Sequence, residues 1–164
     1  MKVGRNVFIA PNATIVGDVT IGDNASIFYG TVIRADQNSI IIGERSNVQD
    51  NVVIHCDEEN STIIGENVSI GHAAIVHGAR VGSNALIGMG SILLSGSVVE
   101  EGAIVGAGAV VTSGTVIGRN CLAVGSPAKV LRCDDSIGER ARRNGEVYQK
   151  LAEKHLKGLY EVHH

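Results

Sequence analysis

Aliphatic residues recur at every sixth position along most of this chain, in four runs separated by short interruptions. The members of the series are Ile9, Ile15, Ile21, Ile27 and Ile33, then Ile42, Val48 and Ile54, then Ile64, Ile70 and Val76, and finally Val81, Ile87, Leu93, Val99, Val105, Val111, Ile117 and Ala123. A fixed short period of this kind is typical of a repeat architecture built from many short strands. The 21 Gly residues and the aromatic content of 3% also favour strands and tight turns over helix packing.

The fourth position of nearly all these hexads is Gly, Asn or Asp, residue types that tolerate a positive φ. These positions are Asn12, Asp18, Asn24, Gly30, Asp36, Asn51, Asp57, Asn67, Asn84, Gly90, Gly96, Gly102, Gly108, Gly114 and Asn120. A short strand and one corner residue, repeated every six residues, can close a three-sided coil with one aliphatic side chain per side pointing inward. A β-propeller or sandwich would need longer alternating strands. The pattern predicts an all-β, single-stranded parallel β-helix over residues 1–130, with its hand left open.

Three irregularities in the period fall at one corner of the predicted coil. Equivalent positions on one side are Ile21, Ile42, Ile64, Val81, Val99 and Ile117, which are separated by 21, 22, 17, 18 and 18 residues. Since 18 residues make one coil, we place insertions at Gln37–Ile41 and Glu58–Ile63 and a deletion at Arg80–Val81. Local rules of a fold tend to break at functional sites, so this corner is a candidate site.

The hexads stop after the GSPAK stretch at residues 125–129, and a helix is predicted in the remaining extension, residues 131–164. Ser136 and Glu139 have the spacing of a capping box, which predicts a helix over about residues 137–157. Gly138 and Gly145 oppose a helix by propensity. The apolar stripe would comprise Ile137, Ala141, Tyr148, Leu151 and Ala152. This helix is expected to cover a flank of the β-helix or to contact another subunit.

Composition and charge exclude several partners. The net charge is −3, and no basic run with interleaved aromatic residues is present, so we expect no nucleic acid. No apolar run has spanning length and the start is not of signal-peptide type, so we expect no membrane association and a cytoplasmic location. Cys56, Cys121 and Cys133 are widely spaced and contain no CxxC, which predicts reduced thiols.

Three histidines have positions that suggest a metal site. His55 and His77 occupy the second hexad position on consecutive coils of one side, so their outward side chains should stack about 4.8 Å apart, below Arg34. His72 lies one side earlier, beneath Asp50, and points in a different outward direction. A single chain cannot easily bring His72 to the other two, whereas a neighbouring subunit around a three-fold axis can.

Three neutral imidazoles with an open fourth position describe a catalytic zinc site, and they also suit Co²⁺ or Fe²⁺. The alternative is that surface histidines stack without binding anything.

Several motifs resemble the signature of the gamma-class carbonic anhydrases. They are Arg34-Ala-Asp36, the stretch from Ser46 to Asn51 with His55, and Gly71-His72-x4-His77-Gly78, and the similarity continues through VGSPAKVLR and NGEVYQKLAEKH. The resemblance implies a left-handed β-helix and a homotrimer that binds Zn²⁺ or iron through His55 and His77 of one subunit and His72 of the next. It implies reversible hydration of CO2 to bicarbonate by a metal-bound hydroxide.

The same resemblance implies roles for further residues. Gln49 would hydrogen-bond the metal-bound water, and Tyr148 would lie near the metal, with Asn144 one helical turn before it. Glu58 aligns with a proton-shuttling glutamate, and Asp57 and Glu59 are solvated alternatives as proton carriers. The residues expected to form interface ion pairs beside the metal are Arg34, Asp36 and Asp50.

Two departures from the family pattern leave a non-catalytic function open. Gln37 stands where the prototype enzyme of the gamma-class family has a glutamate, and Lys150 stands where that enzyme has an asparagine. That alternative is a catalytically silent metal-binding trimeric scaffold. A second alternative is an acyl-CoA thioesterase or acyltransferase, since trimers of β-helices offer a groove between subunits for a pantetheine arm. An acyltransferase of this fold needs one basic histidine without metal, which would leave three histidines at ligand spacing unexplained.

Overall fold

The computed structural model describes residues 1–163 and confirms the predicted β-helix of stacked parallel strands with one C-terminal helix. His164, the last residue of the predicted extension, lies outside the described residues. The strands are β1 (Lys2–Val3), β2 (Phe8–Ile9), β3 (Thr14–Ile21), β4 (Ser26–Ile27), β5 (Val32–Ile42), β6 (Asn47–Val48), β7 (Val53–His55), β8 (Thr62–Ile64), β9 (Ser69–Ile70), β10 (Ile75–His77), β11 (Arg80–Val81), β12 (Leu86–Ile87), β13 (Ile92–Leu93), β14 (Val98–Val99), β15 (Ile104–Val105), β16 (Val110–Val111), β17 (Val116–Ile117), β18 (Cys121–Val124) and β19 (Lys129–Cys133), and the helix is α1 (Asp135–Leu156).

The strands form the three sides of a left-handed coil. Side one contains β2, β4, β6, β9, β12, β15 and β18 in that order. Side two contains the first halves of β3 and β5, followed by β7, β10, β13 and β16. Side three contains β1, the second halves of β3 and β5, and then β8, β11, β14 and β17. Sides two and three form one continuous sheet because β3 and β5 pass through the corner between them.

The core is the six-residue aliphatic series. From Ile21 to Ala123 its members are almost fully buried, while Ile9 and Ile15 in the first coil are only partly buried. Removing one such side chain from water contributes roughly 1.5–3 kcal/mol, and the series places one on each side of every coil. Hydrophobic burial therefore explains the fold.

Most predicted corners have the expected positive φ, including Asn24, Asn51 and Asn67. Arg45 and Ala73 also adopt it, because the fourth hexad position requires this conformation whatever residue occupies it. The prediction is wrong at four positions that do not have positive φ: Asn12, Asp18, Asp36 and Asp57. Three of these lie at the irregular corner. There β3 and β5 continue as extended strands, and their register shifts from Gly17↔Ala35 to Asp18↔Ser39.

Helix α1 packs along side one. Its N-cap is Asp134, whose carboxylate accepts hydrogen bonds from the backbone N–H groups of Ser136 and Ile137 at 3.0 and 3.3 Å. The predicted Ser136 capping box is therefore wrong, because an acceptor two residues earlier already satisfies these donors. Within the predicted stripe, Tyr148 and Leu151 are partly buried, and the fully buried helix residues are Ile137, Ala141, Gly145 and Ala152.

Gly138 and Gly145 allow α1 to approach the corners of the coil. A Cβ at Gly138 would lie 2.3 Å from Oδ1 of Asn120, and one at Gly145 would lie 2.4 Å from Oδ1 of Asn67. The two residues that oppose a helix by propensity are thus the ones that let its backbone contact the coil.

The prediction of reduced thiols is wrong for Cys121 and Cys133, which form a disulfide with a Cα–Cα distance of 4.0 Å. After residues 125–128 the chain reverses and β19 pairs antiparallel with β18, which places these two residues opposite each other. The hexad pattern does not encode this reversal. Cys56 is a free, buried thiol.

Strand β19 crosses the predicted boundary between residues 130 and 131. Nowhere in residues 1–163 is there a helix with the length and apolarity to span a bilayer.

Candidate metal centre

His55 and His77 lie side by side on side two. The register of β7 and β10 pairs the two residues directly, and Arg34 occupies the equivalent place on β5. The ring centroids are 5.0 Å apart, and Nδ1 of His55 is 3.1 Å from Nε2 of His77. The parallel register thus brings two outward imidazoles together.

The second ring nitrogen of each histidine is held by a polar neighbour. Nε2 of His55 is 3.0 Å from Oδ1 of Asp36, and the other oxygen of Asp36 accepts a hydrogen bond from Arg34. Hydrogen bonding to His55 first, and to Arg34 second, lowers the pKa of Asp36. Nδ1 of His77 is 3.0 Å from the Ser95 hydroxyl, which donates to Asp57 across 2.5 Å.

These contacts make the paired histidines suitable for a divalent metal. Ser95 donates to Asp57, so its oxygen is free to accept a proton from Nδ1 of His77, and a neutral His77 in that arrangement has its lone pair on Nε2. A neutral His55 that donates from Nε2 to Asp36 has its lone pair on Nδ1. Two lone pairs 3.1 Å apart repel each other unless a cation lies between them. Imidazole nitrogens bind Zn²⁺ at about 2.0–2.1 Å, which this separation allows.

His72 lies apart from this pair, at the end of side one. Its Nδ1 is 2.8 Å from a carboxylate oxygen of Asp50, and its Nε2 is 3.2 Å from the Tyr148 hydroxyl. Across residues 1–163 of the single chain, no three His, Cys, Asp or Glu side chains are arranged to hold a metal ion. The chain therefore offers one pair of imidazoles and, on a different face, a third.

A buried polar chain anchors the backbone beside His72. Gln49 is 3% exposed, and its Oε1 accepts a hydrogen bond from the N–H of His72 at 3.2 Å. Its Nε2 donates to Asn47, which in turn donates to the hydroxyl of Ser69. The sequence analysis assigned no role to Asn47, although it lies in the signature stretch, or to Ser69. A sequence pattern could have indicated their role. Each stands immediately before an inward aliphatic residue of side one, a position that Leu86 and Ile104 occupy in later coils.

A cavity of about 370 Å³ lies beside His72, between α1 and side one. Leu86, Met89 and Ile104 form apolar walls, and Asn144 and Tyr148 line it from the helix. Burial, reinforced by the charge of Asp50, raises the pKa of Tyr148. Among residues 1–163, Oδ1 of Asn144 is one of two buried side-chain acceptors without a hydrogen-bond partner.

The loop that begins at Asp57 is fixed by that residue. Oδ1 of Asp57 accepts hydrogen bonds from the backbone N–H groups of Glu59 and Asn60 and from the Asn60 side chain. The Ser95 hydrogen bond, followed by those from Asn60, lowers the pKa of Asp57 to about 2. Asp57 is thus ionised near neutral pH and is a poor proton carrier, contrary to one sequence-based alternative. The Glu58 side chain is exposed, and its carbonyl accepts from Asn38 at 3.1 Å. Ser95 was also missed, because it lies outside the motifs.

Repeat families match most of the chain. The model described as "Bacterial transferase hexapeptide (six repeats)" matches residues 1–35, and "Hexapeptide repeat of succinyl-transferase" matches residues 61–95 and 96–122. These matches agree with the six-residue period and with a left-handed coil.

Curated relatives are named carbonic anhydrases. The chain is 53% identical over 153 residues to a probable carbonic anhydrase of Methanocaldococcus jannaschii, covering 92% of this chain and 96% of the relative. It is 44% identical over 89 residues to gamma carbonic anhydrase 2, mitochondrial, of Arabidopsis thaliana, covering 51% of this chain and 32% of that protein. Among solved structures, a hexapeptide transferase family protein from Anaplasma phagocytophilum is 43% identical, with a TM-score of 0.88 and coverage of 93% and 90%.

Proposed function

This chain belongs to the gamma-class carbonic anhydrase family, and from that membership we propose that it hydrates CO2 reversibly to bicarbonate at metal centres between the subunits of a homotrimer. The observation that carries the proposal is the 3.1 Å approach of Nδ1 of His55 to Nε2 of His77 while Asp36 and Ser95 hold the opposite ring nitrogens. Metal-binding histidines usually donate their second ring N–H to such a partner.

The three ligands of the proposed centre are His55 and His77 of one subunit and His72 of the next. Asp50 gives His72 the same arrangement, since it accepts from Nδ1 and leaves a lone pair on Nε2. We assign Zn²⁺, with Fe²⁺ or Co²⁺ as chemically suitable substitutes. When bound, the ion would supply a water molecule whose pKa is lowered to about 7.

The trimer is proposed because one chain presents its histidines on two faces. A three-fold ring joins two different surfaces of neighbouring subunits, so side two of one subunit can meet the His72 face of the next. Val53 and Ile75, which are 39% and 37% exposed, lie on side two next to the paired histidines. Burial of this apolar strip would favour the assembly.

The cavity beside His72 suits the substrate. CO2 is small and without charge, and the walls formed by Leu86, Met89 and Ile104 would admit it without competing hydrogen bonds. Gln49 uses one Nε2 hydrogen on Asn47, and we assign the second to orienting the attacking water. Tyr148 is assigned to the same polar end of the cavity.

Charged residues hold the site and move the proton. Asp36 and Asp50 orient His55 and His72 respectively, and Arg34 holds Asp36. We assign proton export to Glu58, whose exposed side chain follows Asp57 on the loop that reaches Ser95. We propose the cytoplasm as the compartment.

Metal analysis followed by stopped-flow CO2 hydration tests this function. Protein purified anaerobically should contain about one metal ion per subunit and should hydrate CO2 with added Zn²⁺, Co²⁺ or Fe²⁺. His72→Ala should lose both properties, whereas His163→Ala, which alters an exposed histidine near the C-terminus, should keep them. Absence of metal from the wild type would refute the proposal. Acyl-CoA hydrolysis without CO2 hydration would instead assign thioesterase activity.

A further inference from the structure

We propose that Asp57 and Ser95 are positioning residues that fix the proton of His77 on Nδ1. The inference rests on the proposed metal centre, because its consequence is that Nε2 of His77 is held ready for a metal ion. Neither residue would touch the metal or the substrate, and both would act through the imidazole.

The hydroxyl of Ser95 transmits the orientation. Nδ1 of His77 is 3.9 Å from Oδ2 of Asp57, too far for a direct hydrogen bond. Ser95 lies between them, 3.0 Å from the imidazole nitrogen and 2.5 Å from the carboxylate. A hydroxyl has a single proton to donate, and an ionised carboxylate can only accept. Ser95 therefore donates to Asp57 and accepts from His77.

The carboxylate of Asp57 is itself fixed by the loop. Its Oδ1 accepts three hydrogen bonds, from the backbone N–H groups of Glu59 and Asn60 and from Nδ2 of Asn60, at 3.0, 2.8 and 2.9 Å. Oδ2 is left to accept from Ser95. The residues after Asp57 are part of the insertion that lengthens this coil. The irregular corner thus supplies the hydrogen-bond donors that hold the Asp57 carboxylate.

Gly78 makes room for this arrangement on the next coil. Its φ is 56°, and a Cβ there would lie 3.1 Å from both Oδ2 of Asp57 and Oγ of Ser95. A side chain at this position would crowd the hydrogen bond between them. Three successive coils, contributing Asp57, Gly78 and Ser95, thus converge on one nitrogen of His77.

The position of the proton decides whether the histidine pair is open. With the proton on Nδ1, His77 presents a lone pair to the space it shares with His55. With the proton on Nε2, His77 would donate directly to Nδ1 of His55, only 3.1 Å away. That hydrogen bond would close the pair, and a metal ion would have to break it before binding.

Two variants and one matched control test the positioning role. Ser95→Ala removes the bridge. Asp57→Asn keeps the size of the side chain, but the three donors around Oδ1 hold the amide oxygen there and turn Nδ2 towards Ser95. The Ser95 hydroxyl would then accept a hydrogen bond from Nδ2 of the new asparagine and donate one to Nδ1 of His77. Both hydrogen bonds of Ser95 would thus be reversed. Ser97→Ala is the control, because the Ser97 hydroxyl is buried and has no hydrogen-bond partner.

The readouts are the His77 tautomer, from ¹⁵N NMR of the metal-free protein, and the Kd for Co²⁺, from absorption titration. We expect the proton on Nδ1 in the wild type and in Ser97→Ala, and on Nε2 in Asp57→Asn. Co²⁺ binding should weaken about 10- to 100-fold in Ser95→Ala and Asp57→Asn. An unchanged His77 tautomer in Asp57→Asn would overturn the inference. If the wild type binds no Co²⁺, the proposed metal centre is overturned. The tautomer measurement would still decide whether Asp57 and Ser95 position the proton of His77.

Discussion

The hydroxyl of Tyr148 lies 3.2 Å from Nε2 of His72, although 76 positions separate the two residues in the chain. Asp50 holds the other nitrogen of His72, so Nε2 is the atom available to a metal. Helix α1 thus supplies a hydrogen bond to the same lone pair that the proposed centre needs, and metal binding must displace it.

Tyr148→Phe should tighten metal binding while slowing CO2 hydration. A typical hydrogen bond contributes about 0.5–1.5 kcal/mol, so its removal should lower the Kd for Co²⁺ roughly 2- to 10-fold. Absorption titration of Co²⁺ measures this effect, and Tyr160→Phe, at an exposed tyrosine, is the control. Weaker binding in Tyr148→Phe would mean that the hydroxyl supports the metal instead of competing with it.

Mixed trimers should regain metal centres that neither parent has. A His72→Ala subunit keeps His55 and His77, and a His55→Ala subunit keeps His72. Random 1:1 co-assembly should therefore restore about one quarter of the sites. Co-expression with two affinity tags and activity assays of the mixed species measure this recovery. Mixtures of His55→Ala with His77→Ala should recover nothing, since both lost ligands belong to the same half-site. No recovery in the first mixture would refute the intersubunit site.

Gly145→Ala should destabilise the protein even though alanine is the better helix former. The new Cβ would lie 2.4 Å from Oδ1 of Asn67, which is buried and hydrogen-bonded to Asn84. Overpacking of about 1–3 kcal/mol should exceed a propensity gain of about 1 kcal/mol. Urea unfolding measures the difference, and Val147→Ala on the exposed helix face should be close to neutral. A stabilised Gly145→Ala would show that α1 can move away from the coil.

His155 should make the fold less stable under mild acid. Its ring packs against Phe8 and Phe28, its Nδ1 is 3.2 Å from the Tyr29 hydroxyl, and burial lowers its pKa. The unfolded chain therefore binds this proton more readily than the folded one. The contribution of neutral His155 is complete above about pH 6.5 and is lost as the pH falls through the lower folded pKa. Denaturant unfolding of the metal-free protein at several pH values between 7.5 and 5 measures this effect. The free energy of unfolding should fall less steeply with decreasing pH in His155→Phe than in the wild type, and an equal fall in both would contradict the assignment.

Reduction of the Cys121–Cys133 disulfide should lower the free energy of unfolding by about 2–3 kcal/mol, because a short closed loop restricts the unfolded chain. Urea unfolding with and without reductant measures this, and a Cys121→Ser/Cys133→Ser double variant should not respond. Alkylation inside living cells tests the compartment as well. Alkylation of Cys121 and Cys133 would place the chain in a reducing environment, and protection of both by the disulfide would contradict a cytoplasmic location.

The six-residue period was sufficient to predict the coil because each aliphatic residue is buried by the same rule on every coil. The stacking of His55 and His77 followed from that period and from strand spacing. Gly138 and Gly145 were misjudged, because helix propensity is a local quantity and their role depends on Asn120 and Asn67 in distant coils. Cys121 and Cys133 were misjudged for a similar reason, since an antiparallel reversal outside the repeat joins them.

The sequence by itself determined the repeat, the core and the two faces on which the histidines lie, because these depend on a periodic pattern of burial. Tertiary structure alone decided which polar atoms meet at each imidazole. Ser95 reaches His77 from another coil, and Tyr148 reaches His72 from the helix. Hydrogen bonds require an approach within about 3 Å, which spacing in a sequence cannot specify once the contact crosses coils. The proton positions that prepare the histidines for metal therefore depend on the packing of the chain.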